Sequence, residues 1–187
     1  MSLFEYITVA ISIVLSLGIV RLLEGVRISF TADGRYWLHS VWMGTKILNH
    51  VLYWWGIWGL RGIDWNLGWF VWFLLLPAML YLQVSALVGS SPSQVVCWRN
   101  HFYAMGSWFF VVNALNVSHT FVTSTILLEL PLLHPMRFVQ VSIFACSIAG
   151  SVSTSPRLHA FVGPAIFILV ALGFGSILFF PPGQDPT

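Results

Sequence analysis

Apolar runs long enough to cross a bilayer recur along this chain from Phe4 to Phe180, and they leave little room for anything else. A hydrocarbon core about 30 Å thick needs roughly 20 apolar residues of helix. Inside lipid the backbone must satisfy its own hydrogen bonds, so only helices and closed barrels can span it. These runs are apolar on every side and lack period-two alternation, which excludes the barrel. Charge is correspondingly scarce, 7% of residues against about 25% in a soluble domain. The sequence predicts a single all-α integral membrane domain over residues 1–187, with six transmembrane helices at 4–28, 36–58, 69–88, 103–126, 135–153 and 159–180.

The connections are short and carry turn chemistry: Thr31-Ala32-Asp33-Gly34, Arg61-Gly62-Ile63-Asp64, Gly89 to Ser93, and Leu133-His134-Pro135. The tail from Pro181 to Thr187 cannot extend the last helix and is expected to be loose. The opening MSLFEYITVAISIVLSLGIV has no positive n-region and no small-residue cleavage site, which favours a retained first span. Arg21, Arg27, Arg35, Arg99 and Arg157 lie on the side of connections one, three and five, against Arg61 and Arg137 on the other. The other side also carries Glu5, Asp64, Glu129 and Asp185. The positive-inside rule then puts both termini on the outer, periplasmic side.

A net charge of +2 spread this thinly offers no nucleic-acid surface. Cys97 and Cys146 sit far apart, outside any CxxC or metal-ligand spacing, so neither a disulfide framework nor a zinc site is expected. Trp54, Trp55, Trp58, Trp65, Trp69 and Trp72 straddle the second connection. They suit an interfacial aromatic belt, and less readily an aromatic mouth for a cationic ligand.

The second span, YWLHSVWMGTKILNHVLYWWGIW, holds the most informative polar residues. His39, Lys46 and His50 fall within about 40° of one another on the helix face. Lys46 is roughly 15 Å of helical rise from either end of the span, too far for its stem to reach water easily. A charge at that depth costs at least about 2.5–3.5 kcal/mol, so it must be paired inside the bundle or be given up. In the fourth span Asn113, Asn116, Thr120 and Thr123 form a polar stripe bordered by His119. The expected cluster is His50, Asn116, His119 and Gln140, with Lys46 just below it. Taken singly, Gln83, Asn113, Thr120, Thr123 and Gln140 read as ordinary interhelical hydrogen-bonders, worth about 0.6 kcal/mol each. His39, His101, His134 and His159 read as interfacial.

Thr8, Ser12 and Ser16, with Glu5, line one face of the first span; Ser142, Ala145, Cys146, Ser147, Ala149, Gly150 and Ser151 crowd the fifth. Small residues let helices approach closely, so both faces are expected at helix contacts and the fifth helix at a central position. Pro77 and Pro164 are expected to kink the third and sixth spans. No HExxH, GxSxG or phosphate-cradling glycine loop occurs, and no acid lies at depth, so no catalytic residue is assigned.

The opening FEYITVAISIVLSLGIVRLLEG, the pair Trp54-Trp55, and the segments LLLPAMLYLQVSALV and HFYAMGSWFF resemble an uncharacterised family of small polytopic bacterial inner-membrane proteins over about the first two-thirds of the chain. The resemblance implies a bacterial inner-membrane location and no particular activity. The leading functional reading is a small transporter or channel for an ion or small solute, in contact with membrane lipids. Lys46, His50 and His119 line its polar path, with Asn116 and Gln140 orienting them. Histidine changes charge near neutral pH, which suits proton coupling. No cofactor is required by that reading. Two alternatives stay open: a subunit binding haem b or another pigment, with His50 and His119 as axial ligands, and a non-catalytic subunit of a larger membrane complex. So small a bundle is also compatible with a homo-oligomer.

Overall fold

The computed structural model describes residues 2–31, 35–90, 92, 95 and 97–179. The connection at 32–34, much of that at 91–96, and the tail expected to be loose lie outside the described residues. Seven α-helices follow in order: α1 (Leu3–Thr31), α2 (Trp37–Gly56), α3 (Leu67–Val88), α4 (Trp98–Ala104), α5 (Ser107–Ile126), α6 (Pro135–Val152) and α7 (Pro156–Phe179). A 3-10 turn at Ile57–Leu60 closes α2. Among the described residues there is no strand. Among the described residues, four stretches are long and apolar enough to cross a membrane: Leu3–Arg27, Leu67–Val88, Pro135–Val152 and Pro156–Gly173. The chain is thus an all-helical, multi-pass membrane protein.

Local chemistry sets the helix ends. At the start of α1 the Ser2 backbone N–H donates to Glu5 Oε2 (2.8 Å) and the Glu5 N–H to Ser2 Oγ (3.2 Å), a reciprocal capping box. Asn66 caps α3 by accepting from the Trp69 N–H. His134 caps α6 ahead of Pro135, whose ring suits a first helical position. Where one continuous helix was expected over 103–126, the chain breaks into α4 and α5. Gly106 adopts φ 61° there, a conformation open to glycine and strained for other residues. Pro77 and Pro164 both lie inside continuous helices.

The long helices touch in a closed ring, α1–α3–α5–α6–α7–α2 and back to α1, with α2 also meeting α3. α1 turns Ile7, Ile11, Leu15 and Leu22 inward at helical spacing. Its Ser–Thr face instead bonds back to its own helix, Thr8 to the Phe4 carbonyl and Ser16 to that of Ser12. Glu5 and Ser16 on that face are exposed, so the expected use of the whole face for close packing is corrected. The expected central position of the fifth span is corrected too: α6 packs between α5 and α7, and Phe138, Val141, Phe144 and Ile148 stay exposed. α2 and α3 carry the interior. Along α2, Leu38, Trp42 and Met43 belong to one apolar cluster. Ile57 and Leu60, just beyond its end, belong to a second with Ile7, Ile11, Leu15, Phe73 and Leu80. Lys46 and His50 stand between the two along the chain.

Candidate functional site

Lys46 has no solvent exposure, and its Nζ joins a hydrogen-bonded chain drawn from three other helices. It donates to Gln83 Oε1 of α3 and to Asn113 Oδ1 of α5, both at 2.7 Å. Gln83 Nε2 donates to the same Asn113 oxygen (3.1 Å). Asn113 Nδ2 donates to Ser147 Oγ of α6 (2.8 Å), and Ser147 donates in turn to the Ile143 carbonyl (2.7 Å). The rings of Trp42 and Phe109 approach Nζ at 5.7 and 5.3 Å to their centroids. Two amide oxygens and two π faces thus surround the amine, and every contact offers electron density to a cation. No carboxylate bonds to it among the described residues.

The geometry explains why these four residues meet. A helical lysine stem leans toward the helix N-terminus, so Nζ lies about one turn before its own Cα along α2. Gln83 stands five residues before the last residue of α3, Asn113 six after the first of α5, and Ser147 five before the last of α6. All three side chains therefore reach the level at which the lysine tip arrives.

The other predicted site residues fall into separate arrangements. His50 is buried, and its Nδ1–H donates to the Lys46 carbonyl at 2.7 Å. A carbonyl only accepts, so in neutral His50 the Nε2 carries a lone pair, and that atom is buried without a partner. It faces α1 at Gly18, where even a Cβ would collide with it. His119 donates from Nε2 to the Trp72 carbonyl (2.8 Å) and stacks on the Trp72 indole at 4.3 Å and 19°. Its Nδ1 is likewise a buried, unpartnered acceptor, and Asn116 keeps a buried Nδ2 with no partner. No hydrogen bond or ring contact joins His50 to His119 among the described residues. Gln140 belongs elsewhere, with Arg137 (3.2 Å) and Ser124 (3.3 Å). The single cluster expected from the sequence is thus three arrangements, and Lys46 takes Gln83 and Asn113 as its partners, with Ser147 joined through Asn113.

Two positions read as interfacial, His39 and His159, are buried, and so is Arg137, counted above for orientation. Arg137 is 3% exposed. Its guanidinium donates to the Phe121 and Leu130 carbonyls (3.1 and 2.9 Å) and to Ser124 Oγ (2.7 Å), and lies 4.4 Å over the Phe121 ring. It pins the α5–α6 turn, where a cation meets the carbonyl end of α5 favourably. His39 is buried against Trp98 (4.4 Å) and donates to the Leu87 carbonyl (2.9 Å). His159 is buried and donates to the Ser153 carbonyl (2.7 Å). The tryptophan belt also divides. Trp54, Trp55 and Trp58 are exposed, whereas the Trp72 N–H is turned to Thr123 Oγ1 at 2.9 Å.

Compared with known proteins, the chain matches no family profile, no curated protein sequence and no solved structure. The arrangement around Lys46 therefore has to be interpreted on its own chemistry.

Proposed function

We propose that this protein is a small transporter or channel of the bacterial inner membrane, for an ion or small solute, with Lys46 as its polar station inside the bilayer. In this reading α2 and α5 also span, making six crossings with both termini outside. Each has 20 residues, enough for about 30 Å of rise. Their lower apolarity reflects polar groups turned toward other helices.

The observation that carries the reading is the amide-held Lys46. Interhelical hydrogen bonds are easily made with neutral side chains, and an intramembrane ammonium is a costly way to join helices. Its partners are neutral amides, which a solute oxygen or anion can replace without separating a salt bridge. Beyond Lys46, Asn116 Nδ2 and His119 Nδ1 on α5 supply further unpartnered polar atoms, and His50 Nε2, closed against Gly18 of α1, is a proton acceptor rather than a solute contact. Gln140, bonded to Arg137 and Ser124, lies outside this path.

The test is flux in liposomes holding purified protein, read with ion- and proton-sensitive dyes and a panel of labelled small solutes. Protein-dependent flux that disappears in Lys46→Met, with helix content retained, is the expected result. Flux equal in Lys46→Met and the unsubstituted protein would overturn the assignment, as would the absence of any protein-dependent flux.

A further inference from the structure

α1 and α3 run parallel, since Phe4 packs on Trp65 (6.1 Å) near one end and Gly25 closes on Val88 near the other. An open groove lies between them, lined by Leu17, Val20, Arg21 and Glu24 of α1 and by Tyr81 and Ser85 of α3. The α1 residues share one helix face at i, i+3, i+4 and i+7. Over about 10 Å of rise that face changes from apolar to charged. Leu17 and Val20 are 56% and 57% exposed, and Val9 and Ile13 extend the exposed apolar surface along the same helix. A molecule entering the groove therefore comes from the lipid side.

Its polar end is incompletely used. Arg21 Nη1 donates to Glu24 (2.9 Å) and Nη2 to the Gly89 carbonyl, two of the five N–H bonds a guanidinium offers. Ser85 Oγ is buried with no hydrogen-bond partner. The Glu24 side chain is half exposed. The groove therefore presents cationic N–H donors, a free hydroxyl and an adjacent carboxylate, all above an apolar slot.

We propose that this groove binds a phospholipid whose zwitterionic headgroup carries a primary amine. The phosphate meets Arg21 and Ser85, the ammonium meets Glu24, and an acyl chain lies along Leu17 and Val20. A headgroup with net negative charge is disfavoured by Glu24 beside the phosphate position. A quaternary amine has no N–H to donate to that carboxylate. The site is independent of the transport reading and stands or falls without it.

The experiment is native mass spectrometry of the purified full-length protein, titrated with phosphatidylethanolamine, phosphatidylcholine and phosphatidylglycerol of identical acyl chains. The ethanolamine lipid should be retained about tenfold more strongly than either of the others, the weight of one charge-assisted hydrogen bond. Glu24→Gln should reduce its retention to that of the choline lipid; Glu24 bonds to Arg21 at the surface, so this variant keeps its fold. Equal retention of the three lipids, stronger retention of phosphatidylglycerol, or an unchanged preference in Glu24→Gln would each overturn the proposal.

Discussion

Replacing Asn113 with leucine isolates what the Lys46 amine demands of its surroundings. Asn113 Oδ1 accepts from Lys46 (2.7 Å) and Gln83 (3.1 Å), and Nδ2 donates to Ser147 (2.8 Å). Losing a hydrogen bond from a charged group costs about 1.5–3 kcal/mol, and each neutral interhelical bond about 0.6 kcal/mol. Asn113→Leu should therefore destabilise the bundle by about 3–4 kcal/mol. Lys46→Met behaves differently. It removes the charge, keeps most of the stem volume and leaves the Gln83–Asn113–Ser147 chain bonded. Removing a mid-span ammonium recovers at least about 2.5–3.5 kcal/mol of insertion cost, which offsets the bonds lost to Gln83 and Asn113. In the Lys46→Met background Asn113→Leu then loses only neutral bonds, about 1 kcal/mol. The four proteins of this cycle can be compared by reversible unfolding in mixed lipid–SDS micelles, where a coupling of about 2–3 kcal/mol is expected. A coupling under about 0.5 kcal/mol, within ordinary additivity, would refute the reasoning. So would a loss above about 3 kcal/mol in Lys46→Met alone, because the amine would then be a net stabiliser rather than a tolerated cost.

Two further substitutions test separate parts of the structure. Gly18→Ala places a methyl against His50 Nε2, while Nδ1 is tied to the Lys46 carbonyl, so the ring must give way. The expected loss is about 1–3 kcal/mol by micelle unfolding; the same loss in a His50→Ala background would contradict this account. Arg137→Met takes the donor from the Leu130 carbonyl and Gln140 Oε1 and one of several donors from the Phe121 carbonyl and Ser124 Oγ, for about 2–4 kcal/mol. Hydrogen exchange should quicken across 121–137 and stay unchanged in α1; uniform protection in the variant would show that packing alone holds the α5–α6 turn.

That Lys46 needs partners inside the bundle is legible because the cost of a mid-span ammonium is visible without any structure. Its partners were not. Finding Gln83, Asn113 and Ser147 requires the level and the facing of four helices at once, together with the lean of the lysine stem toward the start of α2. Treated one at a time, Gln83 and Asn113 look like ordinary hydrogen-bonders, and Ser147 looks like one more small residue in a crowded helix. Matching distances from the helix ends is the signal that links them, and it becomes usable once the helix limits are known. Arg137 illustrates the opposite difficulty. A guanidinium near a span end counts as an orientation marker, yet its stem is long enough to fold inward to the carbonyls of α5. On α1, the hydroxyl stripe drew attention from Ile7, Ile11, Leu15 and Leu22, which repeat just as regularly. Serine and threonine hydroxyls can bond the carbonyl four residues earlier, so a polar stripe does not by itself identify a contact face.

The placement of the charged groups also argues against packing as the whole purpose of Lys46. Arg137, also deeply buried, donates to two backbone carbonyls and to the Ser124 and Gln140 side chains, all within one α5–α6 hairpin, as a structural clasp requires. Lys46 is satisfied only by side chains, from α3 and α5, and through Asn113 from α6. Backbone carbonyls are fixed by their helices, whereas amide side chains can rotate away while the helices stay folded. In the proposed transport role the Lys46 partners would exchange for a solute at the cost of rotamer changes, whereas the carbonyl bonds of Arg137 cannot open without unwinding or moving a turn. A bundle that needed only glue at Lys46 would be served equally well by methionine, which is why flux and stability are expected to separate in Lys46→Met.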